Sequence, residues 1–263
     1  MKLRFWKLDA AGNDFVLAAA PRHGGGALWA RRLCDRRSGV GADGLLVVRR
    51  APGGLSVDYR NADGSAAFCG NGARAAAWWA YRRGWAGRRM TLRTGAGELL
   101  ARVAGRERVE LSMPEPRGVR LGLALRAGGR AFIAHCVDTG VPHAVIPVAG
   151  LPDFAVAEFG RAVRRHRLFA PAGTNVDFVA RDGPGLRLRT YERGVEDETW
   201  ACGTGAVAAA VAGWRLGWVR PPVRVQVRGE QVLTVSFRAD GDAARDVRLA
   251  GPARIVFEGE VEL

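Results

Sequence analysis

Two stretches of this chain are built alike: Cys-Gly-Asn-Gly-Ala-Arg-Ala-Ala-Ala at 69–77 and Cys-Gly-Thr-Gly-Ala-Val-Ala-Ala-Ala at 202–210. Each passes from a cysteine and two glycines into an alanine-rich run of high helix propensity. Both runs are apolar on nearly every side, and a helix with no polar face has to be buried. Small alanine faces let strands wrap close, so each helix is expected to run through a strand barrel. Two copies are too few for a solenoid, which needs about three or more. The expected fold is therefore α+β: two pseudo-symmetric lobes, each a strand barrel around a central helix.

The remaining pattern is dominated by short, partly alternating apolar runs separated by Gly or Pro. They predict strands at 2–8, 15–19, 45–49, 55–60, 90–94, 98–103 and 108–113. A second set is expected at 131–137, 143–148, 176–180, 186–191, 223–227, 232–237, 247–249 and 255–257. Helices are expected at 28–35, 70–83, 154–165 and 203–215, two of them closed by Gly84 and Gly217. The Pro114-Glu115-Pro116-Arg117-Gly118 segment is the natural lobe boundary, giving residues 1–114 with Cys69 and 115–263 with Cys202. The last strand is free to return to the first lobe. An internal echo reinforces the duplication. Asn13-Asp14-Phe15-Val16 resembles Asn175-Val176-Asp177-Phe178-Val179, and Tyr59 and Tyr191 open the runs into the two cysteines.

The chemistry follows from where the thiols stand. A cysteine at the mouth of a helix meets unpaired backbone N–H groups and the positive dipole end, which favour a thiolate and attract an anion. The N–H groups of Gly70, Asn71, Gly203 and Thr204 could together cradle a carboxylate. That would place the α-carbon of a bound amino acid between the thiols and stabilise the charge that develops on deprotonation. One cysteine before a helix is as readily a packing residue; two at matched positions favour a pair of acid/base groups, one for each face of a carbon.

Other uses of these residues fit less well. Cys34 and Cys136 lack the glycine context and are expected to be inert core thiols. The histidines at 23, 135, 143 and 166 and the cysteines show no zinc spacing, so no metal is expected. With Lys2 and Lys7 the sole lysines, no Schiff-base residue stands out, and no cofactor is expected. Gly39-Val40-Gly41-Ala42-Asp43-Gly44 superficially resembles a phosphate loop but lacks the Lys-Ser/Thr that would define one. The tryptophans 78, 79, 214 and 218 read as packing residues.

The chain of 263 residues has a formal net charge of +14, carried almost wholly by arginine. These arginines are spread evenly in short runs without interleaved aromatics, which reads as a solvated surface and not a nucleic-acid footprint. No apolar run is long enough for a transmembrane helix, and no signal core stands at the N-terminus. Neither nucleic acid nor membrane is expected as a partner. Sparse cysteines agree with a cytoplasmic protein. The expected partner is a small-molecule substrate, and a homodimer is an assembly left open.

Taken together, Asn61-Ala62-Asp63-Gly64-Ser65 followed by Cys69-Gly70-Asn71-Gly72-Ala73-Arg74 resembles the signature of the diaminopimelate epimerases. Gly12–Val16, the 39–44 segment, Gly173-Thr174-Asn175-Val176, and Tyr191-Glu192-Arg193-Gly194 before Ala201-Cys202-Gly203-Thr204-Gly205 are similar to that family in the same order. The resemblance spans essentially the whole chain. It implies two related lobes with a site in the cleft between them, and pyridoxal-phosphate-independent interconversion of LL- and meso-diaminopimelate for lysine and peptidoglycan precursor synthesis. Cys69 and Cys202 would be the catalytic thiols. Asn61, Asn175 and Arg193 would hold the distal end of the substrate, with Asn13 also lining the pocket. Glu192 would contact the substrate amine and pair with the second thiol, and His143 would partner the first. Gly70, Asn71, Gly203 and Thr204 would form the carboxylate cradle.

Three departures stand out: a three-residue spacer between Ser65 and Cys69 where the family usually has four, Val141 in place of an asparagine, and Gly44 where some members carry glutamine. The alternatives are a related racemase acting on proline, hydroxyproline or histidine, the proline type having a first thiol motif that resembles Cys-Gly-His-Gly; an isomerase branch related to phenazine biosynthesis, which lacks the cysteine pair and is disfavoured by Cys69 and Cys202; and a basic RNA-binding module resting on net charge alone.

Overall fold

The computed structural model describes residues 2–19 and 26–263; His23 lies outside the described residues. The chain divides into two compact units, Met1–Ser112 together with Ala250–Leu263, and Met113–Leu249.

In the first unit, β1 (Lys2–Ala10) and β2 (Asn13–Ala19) form a hairpin through Ala11 and Gly12, both at positive φ. After α1 (Gly26–Cys34) comes β3 (Gly44–Ala51), parallel to β2, and then β4 (Gly54–Asn61), antiparallel to β3. Next, α2 (Gly70–Arg82) leads into β5 (Arg89–Thr94), which is parallel to β4. β6 (Gly97–Gly105) and β7 (Arg108–Ser112) follow as an antiparallel meander.

The second unit begins with the hairpin β8 (Arg117–Ala127) and β9 (Arg130–Asp138), the latter antiparallel to β10 (Pro142–Pro147). After α3 (Val156–Arg164), β11 (Asn175–Asp182) lies parallel to β10 and antiparallel to β12 (Gly185–Glu192). The short β13 (Asp197–Thr199) pairs with β12 ahead of α4 (Gly203–Arg215). β14 (Val223–Gln226) is parallel to β12 and antiparallel to β15 (Val232–Asp240). In β16 (Ala243–Pro252) residues 243–249 end the second unit and 250–252 belong to the first, which β17 (Arg254–Glu262) completes, antiparallel to β1.

Both units thus use one pairing order. The series β1 to β6 has its counterpart in β9, β10, β11, β12, β14 and β15, with a helix after the second strand and another after the fourth. This corrects the internal echo read from the sequence. Asn13–Val16 lies on the second strand of its matched series, whereas Asn175–Val179 lies on the third strand of the other, which starts at β9. The two Asp-Phe-Val runs are therefore not equivalent positions, since a buried strand of either kind draws on the same few apolar residues.

α2 packs against all of β1–β7 and β17, and α4 against β9, β10, β11, β12, β14 and β15. Burial of every residue from Gly205 to Gly213 follows from the absence of a polar face on α4. α3 is amphipathic instead, burying Val156, Gly160 and Val163. Gly160 lies so close over Tyr191 that a Cβ there would meet the tyrosine Cβ at 2.4 Å. One apolar cluster of the first unit joins Leu3, Phe5, Val16, Leu45 and Val47 to Leu33 of α1. In the second, Phe132, Ile146, Phe154, Phe178 and Tyr191 cluster with Val163 of α3. Trp79 is a core residue, edge-on to Trp6 at 4.9 Å and to Trp85 at 4.8 Å.

β8 is absent from the sequence expectation, although Val119, Leu121, Leu123, Leu125 and Ala127 alternate with period two. Gly118 and Gly122, both at positive φ, and the interleaved arginines mask that pattern. β13 is three residues long and becomes a strand only through its pairing with β12.

Candidate active site

In the first unit Cys69 is the N-cap of α2, with extended backbone (φ −134°, ψ 111°), and its Sγ accepts from Gly72 N at 3.4 Å. The cap orients a thiol where N–H groups lack intrahelical partners. Behind it runs a chain of polar contacts. Arg74 Nη2 donates to Asn71 Oδ1 (2.6 Å), Asn71 Nδ2 to Asn13 Oδ1 (2.6 Å), and Asn13 Nδ2 to Asp43 Oδ2 (3.0 Å). Arg36 then bridges Asp43 and Asp14, each at 2.7 Å, and Lys7 Nζ lies 2.7 Å from Asp14. Burial opposes ionisation of Asp14, but hydrogen bonds and charges from Arg36 and Lys7 outweigh it and pull its carboxyl down to about 2. The glycine-rich 39–44 segment therefore presents a carboxylate to the network and is no phosphate loop. Asn61 sits at the end of β4 with Nδ2 donating to Ser65 Oγ at 3.0 Å. Gly44 has a packing reason to lack a side chain, because a Cβ would meet the Tyr59 ring at 2.4 Å.

In the second unit Cys202 caps α4 in the same way (φ −109°, ψ 112°), Sγ accepting from Gly205 N at 3.4 Å and lying 3.3 Å from Thr204 Oγ1. Three neighbouring strands supply the side chains around this helix start. The register sets His143 of β10 beside Asn175 of β11, and Asp177 opposite Thr190 of β12. Because alternate strand residues share a face, Asn175 and Asp177 point the same way, as do Thr190 and Glu192. His143 Nδ1 is 2.7 Å from Asp177 Oδ2, and the Thr190 hydroxyl donates to Asp177 Oδ1 at 2.8 Å. Asn175 Oδ1 accepts from Arg193 N (2.8 Å) and its Nδ2 donates to Pro142 O (3.1 Å). Arg193 Nη1 donates to Ala172 O at 3.4 Å, and no carboxylate partners its guanidinium among the described residues.

The electrostatics of Cys202 differ from the sequence expectation. Burial pushes its thiol well above the ordinary value, and the charges of Glu192 and Asp177 push it further, against the weaker pull of Thr204 and the Gly205 N–H. The helix start alone does not make this residue a thiolate. Burial also raises Glu192, with Asp177 adding to the rise and His143 opposing it. Of the remaining cysteines, burial drives Cys34 up to about 12 and raises Cys136, in keeping with inert core thiols. Among the described residues no group of three or more His, Cys, Asp or Glu side chains is placed to hold a metal ion.

The residues that sequence reasoning left out are Asp177, Thr190, Asp43 and Arg74. Asp177 and Thr190 carry a signal in hindsight, since each is a polar residue at an inward position of a buried strand.

The fold is similar to that of solved structures described as a probable proline racemase and a methylitaconate-delta-isomerase. It is similar to the Bacillus anthracis phenazine biosynthesis protein of the PhzF family, with a TM-score of 0.76 at 14% identity over 100% of each chain. Similar too is a hydroxyproline epimerase from Agrobacterium vitis, with a TM-score of 0.70 at 16% identity over 99% of this chain and 91% of the other. The particular family is decided by sequence. The family model for diaminopimelate epimerase matches residues 5–119 and 135–256. The diaminopimelate epimerase of Aquifex aeolicus is 39% identical over 279 residues, covering 98% of each chain. That of Chlorobaculum tepidum is 41% identical over 265 residues, covering 97% of this chain and 100% of its own. The chain belongs to the diaminopimelate epimerase family and is an isomerase.

Proposed function

We propose that this protein interconverts LL- and meso-diaminopimelate by two-thiol acid/base chemistry at Cys69 and Cys202, without pyridoxal phosphate. One cysteine, as thiolate, takes the α-proton; the other, as thiol, returns a proton to the opposite face of the same carbon. The substrate leaves inverted and the two sulfurs have exchanged protonation states, so the reverse reaction uses the same pair with roles swapped. N–H groups of Gly70, Asn71, Gly203 and Thr204 hold the α-carboxylate and stabilise the charge that develops on it. His143 and Glu192 serve the thiols as proton partners, with Glu192 also meeting the substrate amine. Asn13, Asn61, Asn175 and Arg193 bind the distal end.

The observation that carries this reading is the pair of cysteines capping two buried helices at matched places in a member of this family. Arg193 supports it, because its guanidinium is free of any carboxylate among the described residues and can pair with a distal one in bidentate fashion. The four cysteines form no disulfide, which suits the reducing cytoplasm in which we place the reaction. The decisive experiment incubates the protein with LL-diaminopimelate in D₂O and follows isomer content and α-deuterium. Conversion with deuterium at the inverted centre is expected, and should vanish in Cys69→Ala and Cys202→Ala. Racemisation of proline or histidine with diaminopimelate untouched would replace this reading with the related racemase.

A further inference from the structure

Asp177 is a fully buried carboxylate that the proposed proton transfers leave without a role, and its contacts give it one. It stands on a central strand, β11, between β10 and β12, and both its oxygens are committed: Oδ2 to His143 Nδ1 at 2.7 Å, Oδ1 to the Thr190 hydroxyl at 2.8 Å. It also presses against the start of α4. A Cβ on Gly205 would lie 2.4 Å from Asp177 Oδ1, so the second glycine of the Cys-Gly-Thr-Gly motif is what lets the carboxylate approach the helix. His143 is equally buried, and its Nε2 has no hydrogen-bond partner among the described residues.

A carboxylate cannot donate, so the contact at Nδ1 has to be an Nδ1–H···O bond. In the neutral ring that leaves the lone pair on Nε2. Thr190 strengthens the constraint, because its hydroxyl occupies the other oxygen and fixes the carboxylate plane. The remaining ionisable groups that bear on this site from the packed elements are Glu192 of β12 and the thiol of Cys202 at the head of α4. Neither is hydrogen-bonded to His143 among the described residues. A buried, unpaired ring nitrogen is unfavourable by itself, and such groups persist where a ligand or a moving proton completes them.

We propose that Asp177 is a positioning residue that locks His143 as the Nδ1–H tautomer, making Nε2 the nitrogen that receives and returns the thiol proton. This rests on the acid/base role given to His143 above. The proton taken by Nε2 comes from the thiol, leaving a thiolate and an imidazolium whose charge Asp177 stabilises; the reverse transfer restores both.

The test is ¹⁵N–¹H correlation spectroscopy of the full chain with ¹⁵N-labelled histidine, the His143 signals assigned by their loss in His143→Gln. At neutral pH the resting protein is expected to show a protonated Nδ1 and an unprotonated Nε2. In Asp177→Asn the Thr190 hydroxyl keeps the amide oxygen, so the NH₂ faces Nδ1 and the ring is expected to flip to the Nε2–H tautomer. The kcat for the isomerisation should then fall about a hundredfold or more, the range for loss of a general base, with KM little changed. Tautomer loss and rate loss together support the proposal. A resting His143 that already carries hydrogen on Nε2 overturns it, and so does a rate loss with the tautomer unaltered. The resting-state measurement needs no variant, so poor folding of Asp177→Asn leaves the test standing. Because the ring signals are read without turnover, failure on diaminopimelate alone would strike the functional reading and not this one.

Discussion

Arg74 lies wholly inside the first unit, and its Nη2 holds Asn71 Oδ1 at 2.6 Å while Nε and Nη1 find no acceptor among the described residues. Burial pulls its pKa down to about 10. Among the described residues no carboxylate pairs with it, and a buried charge so placed lowers stability, whereas its grip on Asn71 aims an amide at Asn13 and the head of α2. Arg74→Met is therefore expected to keep or raise the melting temperature while kcat/KM falls at least about tenfold, on the scale of a lost charged hydrogen bond. Calorimetry and steady-state kinetics on one preparation check both halves; a lower melting temperature with unchanged kinetics would contradict the assignment.

Asp14 sets an acid limit on the first unit. Its folded carboxyl, at about 2, lies below its ordinary 3.8, so the unfolded chain binds the proton more readily. The stabilisation is complete above pH ~4 and is lost as pH falls through about 2. Asp14→Asn should flatten the stability profile across that window by roughly 1 kcal/mol after solvent screening. Urea unfolding at pH 5, 3.5 and 2.5 gives the comparison, and parallel profiles for the two proteins would refute it.

The thiols should differ in reactivity. Cys69 is half-buried, whereas Cys34, Cys136 and Cys202 are buried with raised pKa values. Brief iodoacetamide treatment at pH 7 is expected to modify Cys69 first and to abolish activity, with substrate protecting. In the resting protein the modification of Cys202 should become appreciable only as pH rises, because burial first, and the charges of Glu192 and Asp177 next, raise its thiol. Peptide mapping reads the order, and equal labelling of Cys69 and Cys202 at neutral pH would count against the burial argument.

Two glycines of the repeated motif should respond in opposite ways to alanine. Gly205→Ala drives a methyl into the Asp177 carboxylate, whereas nothing lies within 4 Å of a Cβ on Gly70. The first is expected to destabilise by about 1–3 kcal/mol, as overpacking does. The second should be neutral or stabilising by up to about 1 kcal/mol, through helix propensity. Thermal melts of the two variants decide it.

Much of the architecture was legible because its signals are local. The apolar helices after Cys69 and Cys202 and the period-two runs of β1–β7 and β9–β12 depend on short-range propensity and spacing, which a sequence displays directly. Where local signals conflict or are too short, as for β8 with its glycines and arginines and for β13, only cross-strand pairing makes the strand.

The site divides along the same line. Two helix-capping thiols and the diaminopimelate epimerase family are determined by the sequence alone, since cap chemistry and motif order need no neighbours. The His143–Asp177–Thr190 chain draws on three strands that meet only in the fold. The same is true of the carboxylates that hold Cys202 as a thiol. The helix N-terminus by itself would favour the thiolate, but desolvation and nearby charge scale with burial, and burial is set by tertiary packing.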